Sequence, residues 1–176
     1  MFANLYLAYE TLSKGMRALA DRLILMHSAA AGYDPDRGAK DPTKSLIAQK
    51  GMEFVVTDDP KKETPHPLVQ IHPVSGRRLL WITGPYSLRF HDMTEEESKP
   101  LLEFFQRHVA QPAFTCRFRW ETGTLLWWDN RCVQHFAIND YRGFRRVMHR
   151  VQIGGGRPYG PAMPKADAPE PAAAPA

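Results

Sequence analysis

Trp128-Asp129-Asn130-Arg131-Cys132-Val133-Gln134-His135, continued by Phe136-Ala137-Ile138-Asn139-Asp140-Tyr141 and then by Arg145-Arg146-Val147-Met148-His149-Arg150, decides how this chain is read. His135 ends one extended run and Arg146 lies in the next, with Ala137 to Gly143 connecting them. Antiparallel neighbours joined in this way bring an imidazole and a guanidinium to one mouth. Period-two alternation puts Arg146, Met148 and Arg150 on one face and Arg145, Val147 and His149 on the other. At ~3.3 Å per residue the two inward arginines stand about 13 Å apart, a spacing that suits two separate anions. The guanidinium fork binds a carboxylate or sulfonate bidentately and stays charged. Burying two arginines without partners is costly, which favours an exogenous anion. Other readings of the same residues remain open. Arg146 and Arg150 can pair with Asp129 and Asp140, His135 can be a hydrogen-bonded core residue, and Trp127 and Trp128 can be packing. Asp129-Asn130 can be turn chemistry alone.

Outward from that stretch the pattern is β-rich. Leu68–Ile71 and Arg78–Ile82 flank the turn Pro73-Val-Ser-Gly76 and read as a hairpin. Tyr86–Phe90 is a further extended piece. Phe114–Trp120 alternates strictly, Leu125–Asp129 is an apolar strand, and Arg145–Gln152 is the last strand. One helix interrupts them, opened by the capping-box pattern Thr94-Glu-Glu-Glu97. Pro100 places its start nearer Ser98. The first 27 residues read as helical, with Met16, Leu19, Ala20, Leu23 and His27 on one face and Ser13 as an N-cap. Residues 28–65 are polar and punctuated by Asp-Pro pairs. They read as a long surface excursion, a candidate lid with a short helix at Thr43–Lys50. Residues 159–176 are rich in Pro and Ala and read as a disordered tail. The natural architecture is a jelly-roll half or barrel with flanking helices.

Composition bounds the function. A chain of 176 residues, 43% hydrophobic and 11% aromatic, supports one domain with a sizeable core. No apolar run reaches the ~20 residues of a membrane helix. The start lacks the basic–apolar–small pattern of a signal peptide, so the expected location is cytoplasmic. Cys116 and Cys132 cannot form a disulfide framework and read as two buried free thiols. The net charge is +4, but the basic residues are not gathered into one solvated run. Small anions are therefore favoured over nucleic acid as partners.

The quoted stretch resembles the C-terminal signature of the TauD/TfdA family, the taurine dioxygenase-like Fe(II)- and 2-oxoglutarate-dependent dioxygenases. His72-Pro-Val-Ser-Gly-Arg77, Thr94-Glu-Glu-Glu-Ser98 and Ala8-Tyr-Glu-Thr-Leu12 add to the likeness, which runs from about Phe2 to Pro158. The resemblance implies a mostly β fold with flanking helices, a partial double-stranded β-helix (jelly-roll) lacking its N-terminal strands, over residues 1–158. It implies that His135 is the distal iron-ligating histidine and that Arg146 grips 2-oxoglutarate. It further implies that Arg150 faces the acidic group of the substrate and that Tyr86 lies beside it. The chemistry implied is hydroxylation of a small anionic substrate by O2, with succinate and CO2 as co-products. A sulfonate such as taurine, a sulfate ester or an aryloxy acid suits Arg150. Family members are often oligomers. The family's other two iron ligands come from a His-x-Asp motif, yet none of the seven histidines here has Asp or Glu two residues later. The family's His-x-Asp and 2-oxoglutarate threonine precede the segment matched from Phe2. The expectation is a dioxygenase portion that is catalytically poor alone. The alternative is a non-enzymatic anion-binding or assembly module.

Overall fold

The computed structural model describes residues 1–28, 62–138, 140 and 143–165. Twelve elements form among the described residues. They are β1 (Phe2–Asn4), α1 (Leu5–Glu10), α2 (Lys14–Ala20), β2 (Ile24–His27), β3 (Thr64–Pro67), β4 (Val69–Ile71), β5 (Arg78–Leu80), β6 (Ser87–Phe90), α3 (Glu95–Val109), a 3-10 turn (Pro112–Phe114), β7 (Thr115–Cys116) and β8 (Val133–His135). The strands form three small antiparallel sheets, ordered β7-β1-β8, β3-β2-β6 and β4-β5. The expected hairpin is present, with Val69 opposite Leu80 and Ile71 opposite Arg78.

The N-terminal segment departs from the helical reading at both ends. Asn4 stops β1 and starts α1, because its side-chain oxygen accepts the Tyr6 and Leu7 amides. Ser13 caps α2 as expected, accepting from the Met16 amide. Ile24-Leu-Met-His27 is then a central strand rather than a helical turn. A four-residue apolar run does not discriminate helix from strand, and pairing on both sides with β3 and β6 decides it. The central strands of both three-stranded sheets thus come from the first 27 residues.

Helix α3 starts at Glu95, not Ser98. Thr94 and Glu97 exchange side-chain and backbone hydrogen bonds in a complete capping box, and three acidic residues fill the positive first turn. Pro100 is tolerated inside the helix. Its missing amide leaves only the carbonyl of the exposed Glu96 without a helical partner, and water can serve there. The apolar face buries Leu102, Phe105 and Val109, and Phe105 meets the Phe90 ring edge-on at 6.4 Å. The core joins Leu5, Leu25, Leu68, Leu80, Phe90 and Phe105, all fully buried. Ser98 pins α3 to β6, since its hydroxyl oxygen accepts the buried Phe90 amide at 3.0 Å. Ser98→Ala is expected to cost about 1–3 kcal/mol by orphaning that amide, measured as a lower urea midpoint with unchanged slope.

Of three further expected strands, one is cut short and two are not formed among the described residues. Only Thr115–Cys116 of the Phe114–Trp120 run pairs, and neither Leu125–Asp129 nor Arg145–Gln152 is a strand. An alternating pattern needs a neighbour to complete its ladder, and none is supplied among the described residues. Cys116 is exposed and Cys132 half-buried, so the thiols are not two core residues. The chain end is more ordered than its composition suggests. Gly160 is buried, the Ile71 amide donates to the Tyr159 carbonyl at 2.9 Å, and a Cβ on residue 160 would collide with the Val69 carbonyl. Only glycine allows that approach. The excursion closes earlier than residue 65, with Thr64 and Pro65 already paired to β2. Residues 29–61, with the expected Thr43–Lys50 helix, and residues 166–176 lie outside the described residues.

Candidate functional site

His135 owes its place to β8, which pairs with β1 so that His135 stands opposite Phe2. The side-chain amide of Gln134 donates to the Ile82 carbonyl and anchors the same strand to the neighbouring loop. The imidazole is exposed and framed by two aromatic rings, Trp128 at 5.1 Å and Phe2 at 6.4 Å. β8 lies at one edge of its sheet, and β1 is its one neighbour among the described residues.

The turn feeding β8 is held by Asp129. Its carbonyl accepts the Cys132 and Val133 amides at 3.2 and 3.1 Å. Its carboxylate accepts the Arg131 amide at 2.8 Å and takes the Arg131 guanidinium on both oxygens, Nε–Oδ1 2.9 Å and Nη2–Oδ2 2.7 Å. This bidentate grip holds the Asp129 carboxyl well below the usual carboxylate range. The buried His72 adds a third partner through Nε2, 3.1 Å from Oδ2. The Ser75 amide donates to His72 Nδ1, also at 3.1 Å. Nδ1 is therefore the acceptor, and the neutral ring carries its proton on Nε2 and donates it to Asp129. Tyr6 closes the cluster, with its hydroxyl 3.1 Å from Ser75 Oγ and its ring under the Arg77 guanidinium at 4.2 Å.

His72, Asp129 and Cys132 bring three metal-capable atoms within 4.8 Å of one another. The surrounding chemistry disfavours a cation there. Arg131 occupies both Asp129 oxygens, and the His72 nitrogen nearest the carboxylate carries a proton. Burial raises the Cys132 thiol above its ordinary range, whereas metal binding needs the thiolate. His72, Asp129 and Arg131 instead form a hydrogen-bonded clamp between the β4–β5 turn and the turn before β8. The His72–Arg77 motif does not by itself reveal its partner, Asp129. The available signal was Ser75 three residues after His72, able to fix the ring from its own turn. Asp129→Asn is expected to raise amide exchange across Val133–His135 at least several-fold. Exchange equal to that of the parent protein would show that the clamp does not hold β8.

The remaining candidates lie on other stretches of the chain. Tyr86 lies in the turn before β6, where its carbonyl accepts the Ser28 amide at 2.9 Å. Arg146 and Arg150 are exposed in the segment after Gly143, whose φ of +84° turns the chain. That segment is not a strand, so the alternation expected to aim both arginines inward has no ladder to enforce it. Asp129 is committed to Arg131 and His72, which removes it as the partner weighed for Arg146 and Arg150. Among the described residues His135 belongs to no group of three metal-capable side chains. One imidazole does not fit a two-histidine, one-carboxylate iron centre, so these residues alone do not complete one.

The sequence pattern described as "Taurine catabolism dioxygenase TauD, TfdA family" matches residues 1–152. The chain belongs to the TauD/TfdA family. An alpha-ketoglutarate-dependent sulfate ester dioxygenase from Pseudomonas putida is 36% identical over 160 residues, 91% of this chain and 51% of that protein. The structure titled as a taurine dioxygenase from Burkholderia xenovorans superposes with a TM-score of 0.56 at 32% identity, over 75% of this chain and 37% of that one. AAD-2, solved in complex with Mn(II) and N-oxalylglycine, aligns with a TM-score of 0.54 at 26% identity, over 75% of this chain and 47% of that one. The chain thus spans about half the length of the curated relative it matches. Its sheets and flanking helices are part of the TauD-like jelly-roll. No helix among the described residues is long and apolar enough to cross a membrane.

Proposed function

We propose that this chain is a portion of an Fe(II)/2-oxoglutarate-dependent dioxygenase that hydroxylates a small anionic substrate, a sulfate ester or a sulfonate, using O2. The observation that carries the reading is the family match across residues 1–152, which includes His135, Arg146 and Arg150. The role of His135 is the distal iron ligand, and an exposed imidazole on an edge strand, with Trp128 and Phe2 limiting its rotation, is consistent with that role. Arg146 is the residue for the far carboxylate of 2-oxoglutarate and Arg150 for the sulfate or sulfonate. Both uses rest on a cation that stays charged at any working pH and can bind two oxygens at once. Tyr86 is the aromatic residue beside the substrate.

Because the described residues supply one ligand to iron, the chain by itself is expected to bind Fe(II) weakly and to turn over poorly. The test is succinate formation from 2-oxoglutarate under air, followed by NMR, with an alkyl sulfate or taurine present. The chain alone is expected to give background rates, and a longer polypeptide carrying the rest of the family domain is expected to give substrate-stimulated succinate. In that longer form, Arg150→Ala should raise the substrate KM far more than the 2-oxoglutarate KM, and Arg146→Ala should do the reverse. If both changes alter stability only, the two-anion assignment is wrong.

A further inference from the structure

We propose that Arg157, His27 and His66 form a binding site for a small inorganic oxyanion of the sulfate or phosphate type, separate from the arginines assigned above to 2-oxoglutarate and substrate. The two imidazoles come from neighbouring strands. His66 on β3 stands opposite Leu25, and His27 on β2 stands opposite Thr64. Period-two alternation therefore puts both rings on the face of the sheet that carries the fully buried Leu25. Their centroids are 4.7 Å apart, and each ring leaves one buried nitrogen, His27 Nε2 and His66 Nδ1, without a hydrogen-bond partner. Two such atoms on adjacent rings carry a desolvation cost that a bound group removes. Each neutral ring can carry its proton on that nitrogen and donate it to an oxygen.

The guanidinium arrives on a strap formed by the residues around Gly160. The Tyr159 carbonyl accepts the Ile71 amide at 2.9 Å, and a Cβ on residue 160 would stand 3.2 Å from the Pro67 Cβ. Pro67 directly follows His66, so the strap delivers Arg157 to the histidine pair. Burial first and the Arg157 charge second keep the His66 ring neutral, the electrostatic mark of that approach. Arg77, Arg78, Arg89 and Arg131 each hold a carboxylate. The half-buried Arg157 holds none among the described residues, and Glu63, just before β3, is taken by Arg89. Charge then selects the ligand. A cation held by the two imidazole lone pairs would face the guanidinium in a like-charge contact. A water between the rings would satisfy both nitrogens and leave Arg157 without a counter-charge. A small oxyanion answers all three groups, with its charge on the guanidinium fork and further oxygens accepting from the rings.

The experiment uses the full 176-residue chain, isotope-labelled at its histidine rings, titrated with sodium sulfate or inorganic phosphate at constant ionic strength against chloride. A stability shift alone is no readout, because sulfate is excluded from protein surfaces and raises stability generally. The expected result is a saturable NMR shift of the His27 and His66 ring nitrogens at one anion per chain. The His72 and His108 rings, already hydrogen-bonded, should stay unmoved. Arg157→Gln should weaken the binding by about tenfold or more, and Arg157→Lys, which keeps the charge and loses the fork, by a smaller factor. Arg146→Ala and Arg150→Ala should leave the two ring shifts unchanged, so this site stands or fails apart from the dioxygenase assignment. Three results overturn the proposal: no shift of either ring at about 50 mM anion, an affinity that Arg157→Gln leaves unaltered, or Zn2+ alone shifting the two rings where the anions do not.

Discussion

Acidifying a solution of this protein from pH 6.5 toward pH 5 is expected to lower its stability steeply, before most carboxylates begin to titrate. The cause is a pair of buried imidazoles packed close together. His27 on β2 and His66 on β3 lie with ring centroids 4.7 Å apart, and His27 Nε2 and His66 Nδ1 are buried without a hydrogen-bond partner. Burial holds His27 neutral, with its pKa lowered to about 3, and the neighbouring His66 adds to the effect. His66 is lowered as well, by burial first and then by the Arg157 charge. In the unfolded chain both rings titrate near 6.5. Below that value the unfolded state binds protons that the native state refuses, so the stability present above pH 6.5 is lost as pH falls toward the native pKa. Each pH unit in that window costs about 1.4 kcal/mol for each histidine kept neutral. Glu97 and Asp129 are lowered too, in favour of their charged forms, and their losses belong to the carboxylate range below. Urea midpoints between pH 7 and pH 5 therefore isolate the histidines. His27→Gln should flatten the slope and His27→Gln with His66→Gln should nearly remove it. An undiminished slope in the double variant would assign the acid sensitivity to other groups.

Phe105→Ala is expected to cost about 3–5 kcal/mol, the range for emptying a fully buried aromatic site. The ring has no exposure, meets Phe90 edge-on at 6.4 Å and Phe104 at 5.3 Å, and ties α3 to the β3-β2-β6 sheet. The remaining core cannot easily collapse onto the space, because its neighbours belong to elements already fixed by strand pairing and by Ser98. Domains are stable by only about 5–15 kcal/mol, and this one leaves large side chains such as Trp127 and Phe144 in water. The variant should therefore be largely unfolded at 37 °C, read from the loss of near-UV circular dichroism. Phe104→Ala, one position along and only half-buried, should cost clearly less. Equal losses would mean that the helix face was assigned wrongly.

Local chemistry was legible wherever a few neighbouring residues suffice. The Thr94–Glu97 capping box, the Ser13 cap and the hairpin around Pro73–Gly76 each depend on contacts within four or five residues, and each is present. The family was also legible, because the spacing of Trp128–Arg131, His135, Arg146 and Arg150 is a property of the string itself. Elements that need a distant partner were not. Residues 24–27 are a strand because β3 and β6 flank them, whereas 125–129 and 145–152 have no such flank among the described residues. Pairing energy is shared between two segments, so the sequence of one alone does not contain it. The clamp of His72, Asp129 and Arg131 joins residues 57 positions apart, and the His27–His66 pair joins residues 39 apart across an excursion of unrelated composition. By itself the sequence determined the family, the caps, the turns and the residue types available to bind anions. The tertiary structure alone decided which histidines are buried and neutral, which carboxylate is already taken by an arginine, and which apolar side chains still face water. Burial and desolvation set those outcomes, and they exist only once distant segments meet.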